Sequence, residues 1–452
     1  MVAKSHGRTV AKSHGRIPKK SYLCGALPER QIWQPNQHAG VMKIGIICEG
    51  KVPPDIRVPL NPAQCANIME RLPVSIVVEP SALRCFRDDE YEAAGIPLTT
   101  YLLDCDVLMG VKEVPVDRLI PGKTYCFFSH TIKKQPYNRK LLQAVLAKNI
   151  RLIDYEVMTD DKGQRVVAFG YFAGMVGAYN GIMTYGRRTG LFQLKRLYEC
   201  HDYSEAEAQY ASIQFPPMRI VLSGTGRVSS GAVQVLTDMG IRQVSPGEYL
   251  THTYSEPVFT QISCLDYAAR RDRHAFSRAD FYSHPEAFES AFAPYARVSD
   301  IFINGIFWDK RAPAFFTKED MRRADFNIRV IADITCDIAP NASIPSTIQA
   351  STIANPIFGY DPFLEHEASP HQDHVIDMMT IDNLPSELPR DASTAFGEML
   401  IKHLIPELMK PESAMLERAT IAANGRLTPG FAYLQDYVEE NSGVLSSSLN
   451  KG

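Results

Sequence analysis

Apolar and polar positions along this chain switch repeatedly between two periods. Short apolar runs stand at Lys43–Cys48, Val74–Val78, Asp106–Val111, Thr124–Phe128, Leu152–Asp154 and Val166–Phe169, and each predicts a strand. Between them lie stretches with helical spacing. One opens at Asn61-Pro62 and runs to about Leu72, one covers Asp88–Gly95, and one runs from Pro136 to Lys148. Proline at a first helical position forfeits no hydrogen bond, and a glycine at the end accepts the left-handed turn that closes a helix. Strands separated by helices predict a mostly parallel, doubly wound α/β sheet.

A Gly-, Ala- and Met-rich segment from Tyr171 to Tyr198 predicts a long connecting helix. Gly174 and Gly177 fall on neighbouring turns of one face, where a second backbone can come close. A second α/β unit starts at Met218–Ser223, with Ser299–Asn304 and Arg329–Asp333 as later strands, and Asp391–Leu408 reads as a long amphipathic helix. Residues 1–41 have no such periodicity. Val2–Arg8 recurs as Val10–Arg16, and the stretch reads as a disordered basic tail, with an organelle-targeting peptide as the alternative. The Ser/Gly-rich residues 441–452 are expected to fray.

Composition narrows the classes. Hydrophobic residues make up 45% and charged residues 22%, which suits a globular body with a sizeable core. Lys plus Arg is 48 against 51 Asp plus Glu. Lys4, Arg8, Lys12, Arg16, Lys19 and Lys20 sit in the tail, so the body is mildly acidic and no nucleic-acid partner is expected. No apolar run approaches the ~18 residues of a membrane span, so no membrane association is expected. The 9 cysteines are scattered without C-x-x-C spacing, which reads as reduced thiols in a cytoplasmic protein.

The clearest chemical signal is IVLSGTGRVSSGA at Ile220–Ala232, an apolar strand running into a glycine turn and a helix. Gly224 would make the tight turn, and Gly226 would let a diphosphate meet backbone N–H groups at the positive end of the helix. Ser229 stands where the third glycine of the dinucleotide fingerprint would be, with Gly231 two residues on. Around the expected second strand, 241–246, no acid appears before Glu248, so Arg227 or Arg242 could serve a 2′-phosphate.

Three clusters in the first half carry further chemistry. Arg57 follows the first strand and has the fork that grips a carboxylate with two parallel hydrogen bonds. Lys112 and Glu113 stand at a strand end, where open α/β sheets bind ligands and where neighbouring cations can lower a lysine's pKa. His130 follows another strand, with Lys133 and Lys134 close behind. Taken singly, Arg57 is a surface or salt-bridged arginine, Lys112 an ordinary strand-end lysine and His130 a structural histidine. Taken together they suit a di- or tricarboxylate substrate and a proton transfer. Glu365-His366-Glu367 with His371 and His374 hold metal-ligating residue types. Ser369-Pro370 interrupts them, so a solvated loop without metal is expected.

GVKEVP (110–115), FFSHTIKKQ (127–135), DYEV with GQRVVAFGYFAG (154–174), SGTGRVSSGA (223–232), DIFINGIFW (300–308), ADITCDI (332–338) and IDNLPSELPRDAS (381–393) occur in one order. This set resembles the lysine-forming saccharopine dehydrogenases and the lysine–2-oxoglutarate reductase half of the bifunctional lysine-degrading enzyme, with wider kinship to alanine dehydrogenase and the transhydrogenase α subunit. The resemblance runs from Met42 to Pro411.

The resemblance implies two doubly wound, Rossmann-like α/β domains with a cleft between them. The first is discontinuous, over 42–170 and 343–440, and holds the amino-acid chemistry. The second, over 171–342, binds NAD or NADP. The implied reaction joins lysine and 2-oxoglutarate through an imine and reduces it to saccharopine. Lys112 and His130 match the acid–base pair, with Glu113 tuning Lys112. Arg57 matches a carboxylate-holding arginine, Lys51 falls near a substrate-contacting lysine, and Lys133, Gln135, Glu156 and Arg165 surround the substrate. Gly224, Thr225, Gly226, Arg227, Val228, Ser245, Asn304, Asp333 and Asp337 would hold the cofactor.

The 452 residues accommodate one catalytic half, as a monomer or homodimer. An alanine dehydrogenase-like oxidoreductase and a non-catalytic NAD(P)-binding protein are the alternatives. Glu156, Arg165 and Lys133 favour the larger, more charged substrate.

Overall fold

The computed structural model describes residues 40–439. The tail expected over 1–41 lies almost wholly outside those residues, as do 441–452. The first five strands are β1 (Met42–Ile46), β2 (Val74–Val78), β3 (Val107–Met109), β4 (Thr124–Phe127) and β5 (Arg151–Asp154). They run parallel in the order β5-β4-β3-β1-β2. A second set comprises β6 (Arg219–Ser223), β7 (Arg242–Gln243), β8 (Val258–Ile262), β9 (Ala268–Arg270), β10 (Phe288–Ser290), β11 (Ile301–Asn304), β12 (Val330–Asp333), β13 (Ile357–Asp361), β14 (His366–Ala368) and β15 (Ile376–Met379). The last strands, β16 (Thr420–Ala423) and β17 (Arg426–Leu427), return to the first sheet beside β5.

Ile44, Ile76, Leu108, Cys126 and Ile153 are fully buried, as parallel strands covered on both faces require. The helices that cover them follow local chemistry. In α1 (Pro62–Arg71), Asn61 Oδ1 accepts the Gln64 N–H at 2.9 Å and Gln64 Oε1 accepts the Asn61 N–H at 3.0 Å. In α2 (Arg139–Ala147), Leu141, Leu142 and Val145 face inward. Pro136–Asn138 forms a separate 3-10 turn ahead of it, so the helix expected from Pro136 starts three residues later.

The second sheet runs β14-β13-β15-β12-β11-β6-β8-β7. Its order departs from chain order: β7 lies at the edge and β8 takes the place beside β6. The long connecting helix is α3 (Gly170–Thr189). It stops at Gly190, whose φ of 69° ends the helix short of the expected Tyr198. α3 lies against α4 (Arg227–Asp238) with backbone touching backbone. A Cβ on Gly174 would stand 1.7 Å from the Val228 carbonyl oxygen, and one on Gly231 would stand 1.9 Å from that of Tyr171. Gly231 thus provides the close approach that the Ser229 substitution puts in question. Ser229 instead donates its hydroxyl to the Ser223 carbonyl at 3.0 Å, tying helix start to strand end.

Three further expectations are corrected. Val166–Phe169 forms no strand; its backbone leads directly into α3, and the Val166 N–H donates to the Met158 carbonyl. The boundary at 343 does not coincide with a change of sheet, because β13, β14 and β15 extend the second sheet. The helix expected over Asp391–Leu408 begins earlier, as α5 (Pro389–His403), and breaks at Leu404 just ahead of Pro406. Phe396 and Leu400 of α5 join the core of the first sheet. No helix among the described residues is long and apolar enough to cross a membrane.

Candidate active site

β3 and β4 are parallel neighbours, so Gly110–Glu113 and Phe128–Thr131 leave the sheet side by side. Glu49, in the loop after β1, accepts the N–H groups of Val111 at 2.5 Å and Lys112 at 3.0 Å. Burial pushes its carboxyl up to about 8, against the pull of the Val111 N–H. The Lys112 ammonium has no hydrogen-bond partner among the described residues. Burial, then the charges of Arg57 and Lys51, bring it down to about 8.

His130 sits in the left-handed region, at φ 52°, which aims its ring back at Glu113. Its Nδ1 is 2.5 Å from Glu113 Oε1, and Lys51 Nζ is 3.6 Å from Glu113 Oε2. Burial alone would raise the Glu113 carboxyl, but the His130 hydrogen bond and charge bring it down to about 2. Asp154, wholly buried at the end of β5, holds the preceding turn by accepting the Ser129 N–H and hydroxyl.

A second charged group adjoins the first. Glu156 Oε1 is 3.4 Å from Lys133 Nζ and 3.8 Å from Arg165 Nη1. Glu156 Oε2 and Glu113 Oε2 are buried and accept no hydrogen bond among the described residues. Arg165 connects this sheet to the glycine turn, since its carbonyl accepts Arg227 Nη2 at 3.1 Å. Gln135 is half-buried and its side chain accepts the Tyr137 hydroxyl.

Arg57 departs from expectation. It is 2% exposed, and its Nε and Nη2 already grip Asp55, at 2.9 Å and 2.5 Å. Nη2 also reaches Asn383 Oδ1 at 3.2 Å, and the guanidinium lies 4.2 Å over the Phe169 ring. The fork expected to hold a substrate is therefore filled by a neighbour two residues away. Asp55 is held below the usual carboxylate range because Arg57 outweighs the cost of its burial.

On the second sheet, Gly224 has a φ of 96°, and Gly226 caps α4 with no side-chain hydrogen bond. Nothing lies within 4 Å of where a Gly226 Cβ would be, and Thr225, Gly226 and Arg227 are exposed. An open, uncapped end of a 12-residue helix fits a diphosphate. Val228 is half-buried and turns toward Gly170 of α3. Asn304 and Asp333 end adjacent strands and are spent on a buried network. Asn304 Nδ2 donates to Asp333 Oδ1 at 2.9 Å, and the Thr347 hydroxyl donates to Asp333 Oδ2 at 2.7 Å. Burial raises both Asp333 and the more open Asp337. Ser245 is not brought to the turn. It caps the short helix after β7, with its hydroxyl on Glu248 at 2.6 Å.

The Glu/His stretch is not a loop throughout, since His366–Ala368 form the edge strand β14. Glu365 pairs with Lys318 at 2.7 Å, and His371 Nδ1 lies 2.7 Å from Asp377. Glu49, Asp55 and Asp154 escaped the sequence reading. Their only signal is an acid within a few residues of a strand's carboxyl end.

Residues 45–176 match the family model described as alanine dehydrogenase/PNT, N-terminal domain. Alpha-aminoadipic semialdehyde synthase, mitochondrial, of Rattus norvegicus is 30% identical over 446 residues, covering 87% of this chain and 48% of that one. The chain thus spans about half the length of that relative. A saccharopine dehydrogenase (NAD(+), L-lysine-forming) of Emericella nidulans is 26% identical, covering 81% of this chain and 92% of the fungal one. Among solved structures, an L-alanine dehydrogenase superposes with a TM-score of 0.60 at 16% identity, over 88% of this chain and 99% of that one. That likeness shows the fold.

Proposed function

We propose, from the premise that this chain is a homologue of the lysine-forming saccharopine dehydrogenases and the alpha-aminoadipic semialdehyde synthases, that it interconverts saccharopine with L-lysine and 2-oxoglutarate. The coarser reading, an oxidoreductase of amino-acid metabolism, is supported by the names of those relatives. NAD or NADP supplies the hydride acceptor or donor. Gly224, Thr225 and Gly226, with the N–H groups of the first turn of α4, are the residues suited to its diphosphate.

The remaining chemistry belongs to side chains. A lysine ε-amine attacking the 2-oxoglutarate ketone must shed a proton, and loss of water to form the imine needs a proton delivered to oxygen. Lys112 near pH 8 has the neutral form available to take the first. His130, whose Nδ1 lies 2.5 Å from Glu113 Oε1, can deliver the second from Nε2 when the ring carries a proton on each nitrogen. Lys51, Lys133 and Arg165 are the cations left to meet substrate carboxylates. Glu156 Oε2, buried without a hydrogen-bond partner among the described residues, suits the distant ammonium of lysine.

The observation that carries this reading is the meeting of Lys112, Glu113 and His130 at two neighbouring strand ends. The test is the initial rate of reduced-cofactor consumption, followed by its ultraviolet absorbance. One arm holds lysine, 2-oxoglutarate and reduced cofactor; the other replaces the first two with ammonia and pyruvate. Turnover confined to the first arm is expected. Turnover confined to the second would make the chain an alanine dehydrogenase-like enzyme, and dinucleotide binding without turnover in either would make it non-catalytic.

A further inference from the structure

The loop after β4 carries His130, Lys133 and Gln135 close together in the chain. His130 and Lys134 each hold a φ of 52° without being glycine. That conformation is costly for a residue with a side chain and persists only where contacts over-determine it. The inner end of the loop has such contacts. Ser129 is held by Asp154, and the His130 ring meets Glu113. The outer end joins α2 at Arg139. Between these anchors, Lys133, Lys134, Pro136 and Tyr137 are exposed, and the backbone there needs another support.

The support comes from far along the chain. A 3-10 turn, Pro429–Leu434, leads into α6 (Gln435–Glu439). Tyr437 of α6 is buried, and its hydroxyl donates to the Gln135 carbonyl at 2.5 Å. The same carbonyl accepts the Asn138 N–H at 3.0 Å, so Tyr437 pins the point from which the Pro136–Asn138 turn departs. The Arg139 guanidinium lies 5.2 Å from the centre of the Tyr437 ring, and the Lys134 ammonium lies 5.5 Å from that of Tyr433. Gln143 of α2 donates Nε2 to the Val438 carbonyl at 2.7 Å. The 429–439 segment thus straps the outer half of the loop and the helix that follows it.

We propose that Tyr437 is a positioning residue, which through the Gln135 carbonyl sets where Lys133 and Gln135 present their side chains to the substrate. The inference rests on the saccharopine reading above. Tyr437 touches no reacting group and acts only through the loop. The half of the loop that moves protons has its own anchors in Glu113 and Asp154. The half that meets substrate depends on the strap, and Lys133 is only loosely held by Glu156, at 3.4 Å. Losing the Tyr437 hydroxyl therefore falls on substrate binding and spares proton transfer.

The test is Tyr437→Phe in the full chain, which removes one hydroxyl and keeps the ring beside Arg139. The KM for 2-oxoglutarate should rise about tenfold, with kcat within about twofold of wild type and the dinucleotide Kd unchanged. Hydrogen exchange of the backbone amides over 131–138 should quicken about tenfold, while that of β3 stays as it was. Tyr203→Phe removes a hydroxyl bonded to Asp238 at 2.8 Å, away from the loop, and should move neither quantity. An unmoved KM, an unmoved exchange rate, or an equal rise in KM in Tyr203→Phe overturns the proposal. Should Tyr437→Phe not fold, Gln143→Ala, which frees the strap at Val438, is read for the same two quantities. Absence of turnover in the wild-type chain sinks the saccharopine reading, and the loop exchange alone then decides whether Tyr437 holds the loop.

Discussion

At the ends of β1, β3, β4 and β5, the ionised groups lean on one another. Glu113 is shared by His130 and Lys51, Glu156 by Lys133 and Arg165, and Asp55 is consumed by Arg57. At the turn after β6 the arrangement is the reverse. Thr225 and Gly226 carry no charge, the helix has no side-chain cap, and space stands open above the backbone. The first region shifts acidity by crowding charges around buried and half-buried carboxylates. The second offers bare N–H groups and keeps side chains away. A fold can thus supply proton chemistry and anion binding from the same structural position, the carboxyl end of a parallel strand, by opposite local choices.

The sharpest way to separate the two regions is to remove Lys112. Lys112→Met should lower kcat about 1,000-fold, while calorimetry shows an unchanged dinucleotide Kd. A loss of both would mean the two regions are not separable. The next contrast lies between two glycines. Gly174→Ala drives a methyl into the Val228 carbonyl and should destabilise the fold by about 3 kcal/mol in urea denaturation. Gly226→Ala meets nothing within 4 Å. It should keep its denaturation midpoint and weaken dinucleotide binding about tenfold.

The smallest effect is a displaced pH profile. The neutral Lys112 amine gains population as pH rises through about 8, so the rate of imine formation should climb as pH rises through that value. Lys51→Ala removes one of the cations that hold the amine down. The Lys112 pKa then rises, and the limb should move to higher pH; a limb that stays put would detach it from Lys112.

The strand-end motifs were legible because a parallel strand buried on both faces writes itself as an unbroken apolar run, and whatever follows it is exposed to ligand. Lys112, Glu113 and His130 came together for that reason. For Arg57 the sequence shows a guanidinium, but not that Asp55, two residues earlier, pairs with its fork. Ser245 was misplaced for a topological reason. Chain order and neighbour order coincide in many α/β sheets, and here β8 slips between β6 and β7. Val166–Phe169 has a strand's composition, yet its backbone is drawn off to start α3. Nothing in its pattern of side chains records that.

The touching backbones of α3 and α4 also have a mechanical meaning. α3 emerges from Phe169, whose ring stacks on Phe396 at 4.5 Å in the first sheet's core, and α4 emerges from the glycine turn. Pressed together without intervening side chains, the two helices form one stiff beam. Any bending between the two sheets would fall instead on the connector from Asp154 to Phe169 and on the return crossing near Asn383.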